Sequence, residues 1–506
     1  MDLEFMFDSA EARLAAKVAL VLGALLLVLR LLDLRRWVPV YRGTRSIPLA
    51  PGCLPLFGHA LSLARGCSWG QMYDWLAEKG PIVKFRVGVR QGILVADPAS
   101  MKRIVQTRQR VYTKDTDFSY KEFLSILGTG LVTANGKHWQ NQRILMAPAF
   151  RIDMLDAILP IAARAVERLA VKLRAIKGTE QTVDMEEEFR LLTLQVIGEA
   201  ILSLPPEECD RVFPPLYLPV MEESNRRVLQ PWRHLFPRAA LRYRRNVRAL
   251  DGFIKSVIRA RREGRAAAAA KGLPAPAADI LDHVLASIER GGEPWTAATE
   301  TQLCFEVKTF LLAGHETSAA MLCWSLFELS RRADLAARVR AEARKAGVGP
   351  GGASPRREAV EAMELTLACL KESLRKYSVV PVITRNLVDD DELCGHKIPA
   401  GSWIIMHVQK LHHHYRDPLA WDPARFLPGG EYDQFPEELR PYMFMAFIQG
   451  PRNCLGQYFA LLEARVVLGA LLEEFSFAPV DAERQAATSP TVIPVGPVHG
   501  MAMRVT

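Results

Sequence analysis

The sequence predicts a mainly α protein with a small β subdomain (α+β), and three features carry that prediction. Apolar residues recur at helical spacing through most of the stretch from Pro98 to Leu374. Short β-branched runs flank this stretch, at Ile82 to Ala96 and again between Val379 and Ile405. No repeat of fixed period appears, which excludes a solenoid or propeller.

In chain order, the first element is apolar. Leu14 to Leu32 reads LAAKVALVLGALLLVLRLL, and as a helix it would extend about 28 Å, close to the thickness of a bilayer core. Asp2, Glu4, Asp8 and Glu11 precede it, and Arg35, Arg36, Arg42 and Arg45 follow. An acidic N-terminus suits neither a cleaved signal peptide nor a transit peptide. The charge asymmetry predicts a retained single-pass anchor with the body of the protein on the cytosolic side. Residues 1–36 are thus expected to anchor the chain. Residues 37–56, with Ile47-Pro-Leu-Ala-Pro-Gly-Cys-Leu-Pro55, are expected to form a stiff connector. Residues 57–506 are left for the catalytic domain.

Within that domain, Ile82 to Val89 and Ile93 to Ala96 read as a hairpin turning at Gly92, with Asp97-Pro98 starting a helix. Ile158 to Ile176 and Thr299 to Arg331 read as long helices. Gly264 to Ala278 (GRAAAAAKGLPAPAA) reads as a mobile low-complexity connection, and a final helix runs on from Cys454.

Composition narrows the function. Lys plus Arg is 65 against 56 for Asp plus Glu, a formal charge of +9 spread along the chain. No basic tract interleaved with aromatics is present, so no nucleic-acid partner is expected. The eight cysteines are irregularly spaced without a CxxC pair, which excludes a zinc ribbon and argues against a disulfide framework. All but Cys454 read as buried free thiols.

Cys454 stands in the most specific segment, Phe447-Ile-Gln-Gly-Pro-Arg-Asn-Cys-Leu-Gly456. A cysteine where a loop opens a helix has its thiolate stabilised by free amides and the helix dipole. Gly450 and Gly456 would let backbone approach a flat ligand. Glu372 and Arg375 are spaced i,i+3 and can pair on one helical face. Ala313-Gly-His-Glu-Thr317 lies inside a long helical stretch, with Ala313, Gly314 and Thr317 on one face. A mid-helix glycine costs about 1 kcal/mol, which a close ligand would explain. Without such a ligand, Thr317 would bond back to its own helix. His315 reads as a satisfied polar side chain. Trp139 and Arg143, spaced i,i+4, point the same way.

Together these segments resemble the haem-thiolate family of the cytochromes P450. The loop meets F-x-x-G-x-R-x-C-x-G; Glu372 to Arg375 matches E-x-x-R; Pro423-Ala-Arg425-Phe426 resembles P-x-R-F; Trp139 to Arg143 matches W-x-x-x-R. The resemblance implies the cytochrome P450 fold and haem b (iron protoporphyrin IX) ligated by Cys454. It implies that Phe447, Gly450, Arg452 and Gly456 cradle the cofactor and that Trp139, Arg143, Arg385 and Arg452 hold its propionates. Glu372, Arg375 and Arg425 would form a structural triad. Thr317 would hydrogen-bond oxygen at the iron in a groove formed by Ala313 and Gly314, with Glu316 relaying protons.

The implied activity is a monooxygenase using O2 and a hydrophobic small molecule. Fatty acids, carotenoids or other lipids are the expected substrates. No flavin or nicotinamide fingerprint is present, so electrons are expected from an NADPH-cytochrome P450 reductase, with cytochrome b5 or a ferredoxin as alternative partners. The anchor implies membrane lipid and the endoplasmic reticulum, with a plastid envelope as the alternative. The rival functions are a haem-thiolate isomerase or dehydratase acting on peroxides without a reductase, and a non-catalytic haem-binding protein.

Overall fold

In the computed structural model, which describes residues 35–150, 152–274, 279–292, 294–349, 351, 354–488 and 494–506, the helical periodicity becomes a stack of packed helices. The main ones are α1 (Ser68–Lys79), α2 (Gly136–Met146), α3 (Ile152–Ile176), α4 (Met185–Leu202), α5 (Pro206–Leu216) and α6 (Leu218–Leu229). They continue as α7 (Pro237–Ala270), α8 (Ile280–Gly291), α9 (Ala297–Ser330), α10 (Ala333–Lys345), α11 (Glu364–Tyr377) and α12 (Gln457–Glu474). The strands are β1 (Ile82–Val87), β2 (Arg90–Val95), β3 (Tyr112–Thr113), β4 (Thr182–Asp184) and β5 (Val382–Leu387). After them come β6 (Asp391–Leu393), β7 (His396–Ile398), β8 (Trp403–His407), β9 (Phe477–Pro479) and β10 (Ala502–Val505).

α9 is the axis of the helical layer. Its buried residues are not confined to one face, so it is stable only when wrapped by other helices. It packs along α4, α11 and α12, with buried residues from Glu300 to Leu329. Thr296 opens it through a capping box with Thr299.

The β-branched runs form a five-stranded sheet in the order β1-β2-β8-β5-β3, in which β8 runs parallel to β2 and antiparallel to β5. The hairpin forms as expected, but its turn lies at Gly88 and Val89. Gly92 sits inside β2 opposite Phe85, where a Cβ would fall 2.4 Å from the Phe85 ring and 2.9 Å from Trp403. The glycine makes room for an aromatic stack. Asp97 then caps the short helix Pro98–Lys102 by accepting from Ser100 N at 2.7 Å.

Other expectations change. Within the expected connector, residues 37–50 dock on the sheet: Trp37, Val40 and Ala50 are buried against Trp75, Phe85 and Trp403, and Leu49 bridges to Lys84. Gly264 to Ala270 is the end of α7, because an alanine run has the highest helix propensity. Residues 275–278 lie outside the described part. α12 is not the last element, since β9 and β10 follow it and join β4 in a second sheet of order β4-β10-β9.

The eight cysteines are free. Cys209, Cys304, Cys323 and Cys369 are buried, but Cys53, Cys67 and Cys394 are only half-buried. Cys67 caps α1, accepting from Gly70 N at 3.3 Å, and Cys394 sits in the β6–β7 turn at φ 50°. The expected anchor at Leu14 to Leu32 lies outside the described residues. Among the described residues no helix is long and apolar enough to cross a membrane.

Candidate active site

An ion pair at the base of the site sets its geometry. Arg375 donates to Glu372 through Nε and Nη2 at 2.7 and 2.8 Å, and both side chains are 0% exposed. Arg375 also closes on the carbonyls of His412 (3.2 Å), Pro418 (2.8 Å) and Ala420 (2.9 Å). Glu372 accepts from Asp422 N at 2.8 Å and lies 3.4 Å from Arg425. Arg425 is also bonded to Glu431, a partner the motif does not announce. Burial raises the Glu372 carboxyl and Arg375 opposes it. Breaking such a buried pair from one side costs about 3–5 kcal/mol.

This cluster reaches the cysteine loop through His412. Its Nε2 accepts from Met445 N at 3.0 Å, while Nδ1 meets Ser378 Oγ at 2.9 Å. From Met445 the chain enters a tight turn, with Ile448 at φ 58° and Gly450 at φ 76°. Cys454 N donates to Phe447 O at 2.8 Å and Asn453 N to Gly450 O at 3.0 Å. A Cβ at Gly450 would lie 2.1 Å from Val105 O. Gly450 therefore permits a close backbone crossing, and it does not line the cavity. Gly456 is the N-cap of α12 and does line it.

The cavity, about 320 Å³, brings together Trp139, Arg143, Ala313, Gly314, Thr317, Phe447, Arg452, Cys454 and Gly456. Its remaining wall is mostly apolar, including Val132, Phe310, Val379 and Ile383. The surface that Cys454 leaves uncovered faces this cavity, and protein surrounds it beyond. Burial raises its thiol, while the Gly456 backbone and Arg143 pull it down. Arg143 donates to Asn453 O at 2.9 Å and Asn453 Oδ1 at 2.7 Å, so it clamps the loop directly. Arg452 lies 4.2 Å from the Trp139 ring centroid.

Three predicted residues stand against neighbours that the spacing does not announce. Glu316 faces away from the cavity wall, 3.7 Å from Arg190 of α4. Burial raises its carboxyl and Arg190 opposes the shift. Gly314 lines the cavity as expected, and helix packing also favours glycine there, since a Cβ would fall 2.7 Å from Ile197 of α4. His315 is fully buried against Tyr217, but neither ring nitrogen has a hydrogen-bond partner among the described residues. Burial lowers it to about 3, and the Arg190 backbone opposes the shift. Thr317 does bond back, donating to Ala313 O at 2.5 Å.

The chemistry of the wall fits a flat dianionic macrocycle. A thiol faces an apolar slot, and the half-buried Arg452 and buried Arg385 stand beside it, neither with a carboxylate partner among the described residues. Arg385 is 3% exposed, against Tyr120, and Arg452 Nε is unpaired.

Two residues escaped the sequence reading. Lys114 lines the cavity and nothing in its polar surroundings marks it. Glu463 of α12 is fully buried and neither carboxyl oxygen makes a hydrogen bond, although Ser318, beside Thr317, is close enough to oppose the shift. Its signal was legible: an acid in the apolar run of Leu461 to Leu472.

The model of the family described as Cytochrome P450 matches residues 48–498. Cytochrome P450 4c21 of Blattella germanica is 28% identical over 485 residues, covering 90% of this chain and 93% of its own. Protein LUTEIN DEFICIENT 5, chloroplastic, of Arabidopsis thaliana is 28% identical, covering 80% and 69%. The ultra-long-chain fatty acid omega-hydroxylase of Homo sapiens is 26% identical, covering 79% and 77%.

Glu463 generates a pH prediction. Burial raises its carboxyl to about 8, above its unfolded value, so the stability it contributes is full in acid and declines as pH rises towards about 8. The decline approaches about 1.4 kcal/mol per pH unit. Unfolding midpoints of the wild type and Glu463→Gln between about pH 5 and 8 should diverge, with the variant flatter; parallel curves would exclude this carboxyl.

Proposed function

Because the chain belongs to the cytochrome P450 family, we propose that it is a monooxygenase that oxidises a hydrophobic lipid or isoprenoid, with Cys454 as the residue that would hold the haem iron. One observation carries the reading: Cys454 and the face of α9 bearing Ala313 and Thr317 line the same apolar cavity. Members of the family bind haem b, which, held by a thiolate, activates O2 and delivers one oxygen atom to substrate while the other leaves as water.

The chain's own residues do the rest. Arg143 and the Gly456 backbone favour the ionised sulfur of Cys454. Val132, Phe310, Val379 and Ile383 exclude water and orient an apolar substrate. The Thr317 hydroxyl, hydrogen-bonded to Ala313 O, faces the cavity and hands on a proton there. Glu316, paired with Arg190 behind the wall, is the acid that would resupply protons. Electrons come from an NADPH-dependent reductase, because no flavin or nicotinamide fingerprint is present in this sequence.

The lipid assignment is supported by the apolar wall and by the human relative, named as a fatty acid hydroxylase. The apolar run of Leu14 to Leu32 supports a single-pass anchor in the endoplasmic reticulum with the body cytosolic.

Cys454→Ser should abolish the strongly red-shifted Soret band of the reduced carbonyl complex while the chain still folds. An unchanged band means that another group is the ligand. Thr317→Ala should keep haem and substrate binding but lower product formed per NADPH by at least about tenfold, with peroxide rising. Unchanged coupling would reduce Thr317 to a helix residue. Removing residues 1–36 spares Trp37 and the core it joins, so the haem spectrum should survive while carbonate-resistant membrane retention is lost. Retention of the truncated protein would refute the anchor.

A further inference from the structure

We infer that Glu306 is a positioning residue that fixes the shape of the substrate cavity, by clasping the turns that carry Leu131 and Val132 against α9. The inference rests on the haem-thiolate reading above, and it concerns a carboxylate that stands outside the cavity lining.

The face of α9 that lines the cavity at Thr317, Ala313, Phe310 and Thr309 continues towards the helix start as Glu306 and Gln302, at spacings of three and four residues. Against these two lies Gly128 to Ala134, a run of turns with no helix or strand of its own. Glu306 Oε2 accepts from Leu131 N at 2.9 Å, and Oε1 accepts from Gln302 Nε2 at 2.8 Å. Gln302 and Thr129 are paired in both directions. Gln302 Nε2 donates to Thr129 O at 3.0 Å, and Thr129 Oγ1 donates to Gln302 Oε1 at 2.7 Å. The turns lie flat on the helix, because Cβ atoms at Gly128 and Gly130 would fall 2.4 Å from the Phe305 ring and from Thr309 Oγ1 respectively. Held so, Leu131 and Val132 join Thr309 and Phe310 in the cavity wall.

A carboxylate is a costly acceptor for a backbone amide. Glu306 is 0% exposed and makes no ion pair among the described residues. Lys308, two residues on, is bonded to Asp251 at 2.5 Å. Burial raises the Glu306 carboxyl to about 7, and Leu131 N and then Gln302 oppose the shift. An acid buried among neutral donors holds them firmly, because a donor that leaves strands the carboxyl in apolar surroundings. The backbone at Leu131 is therefore fixed by a group that the substrate never meets. An apolar wall discriminates by contact with the ligand's outline, so displacing two of its side chains changes which outline is bound best.

The test compares holoenzyme of the wild type, Glu306→Gln, Glu306→Leu and Gly130→Ala. Gln keeps an oxygen for Leu131 N, whereas Leu keeps the bulk and removes the acceptor. Gly130→Ala pushes the same turns off Thr309 with Glu306 intact. Amide hydrogen exchange of residues 128–134 should be about tenfold faster in Glu306→Leu, the value of one hydrogen bond to a charged group. It should be faster in Gly130→Ala also, and near wild type in Glu306→Gln. Two azoles that coordinate the haem iron then read the cavity. The Kd of imidazole, too small to reach the wall, should be the same in all four proteins. The Kd of 4-phenylimidazole should change about tenfold in Glu306→Leu and Gly130→Ala, but not in Glu306→Gln. Unchanged 4-phenylimidazole binding in Glu306→Leu or Gly130→Ala overturns the inference, even where exchange is faster. So does an equal loss of both azoles, which would make Glu306 a support of the whole fold, or a Glu306→Gln defect as large as that of Glu306→Leu. A wild type whose reduced carbonyl complex lacks the thiolate-type Soret band sinks the haem-thiolate reading instead, and the exchange comparison still decides whether Glu306 holds the turns.

Discussion

The buried pair of Glu372 and Arg375 is the constraint from which the site follows. Two charges at 0% exposure persist only when geometry is close to ideal and every remaining donor is used. Here the spare hydrogens of Arg375 are taken by carbonyls between His412 and Ala420. Desolvation is thereby converted into order along an irregular segment that has little regular secondary structure to hold it. His412 then passes that order to Met445, and the cysteine loop begins two residues later.

The loop itself is held from the opposite side by cations. Arg143 reaches from α2 to Asn453, and Arg452 reaches back to Ala134 and Asn135 at the start of α2. Helix and loop are therefore cross-tied in both directions around Cys454. Residues expected to grip a cofactor also grip the protein, which keeps a cysteine in a turn at one position. The acids lie elsewhere: Glu316 turns towards α4, and Glu463 is enclosed by α12 beside Ser318. Lys114, Arg143 and Arg452 thus line the cavity, whereas Glu316 and Glu463 stand behind its wall.

Glycines show how one residue type serves unlike needs. Gly92 admits an aromatic ring, Gly314 admits Ile197 of α4, and Gly450 admits the Val105 carbonyl at a left-handed φ. Gly314 and Gly450, read from the sequence as room for a ligand, also make room for the protein itself. In each case the intruding atoms belong to the protein, brought there by segments distant in the chain.

The sequence alone determined the identity of the chemistry. Cys454, Glu372 with Arg375, Trp139 with Arg143, and Ala313 with Thr317 are spacings within one loop or one helix, and local periodicity makes them legible. The central helix and the hairpin were legible for the same reason. Only the tertiary structure decided where Glu316 points, why Gly314 is glycine, that residues 37–50 dock on the sheet, and that Lys114 and Glu463 border the site. Each of these depends on a neighbour scores or hundreds of residues away. Periodicity tells which side of a helix a residue occupies, but what stands opposite is set by packing, and packing decides which buried charges find partners.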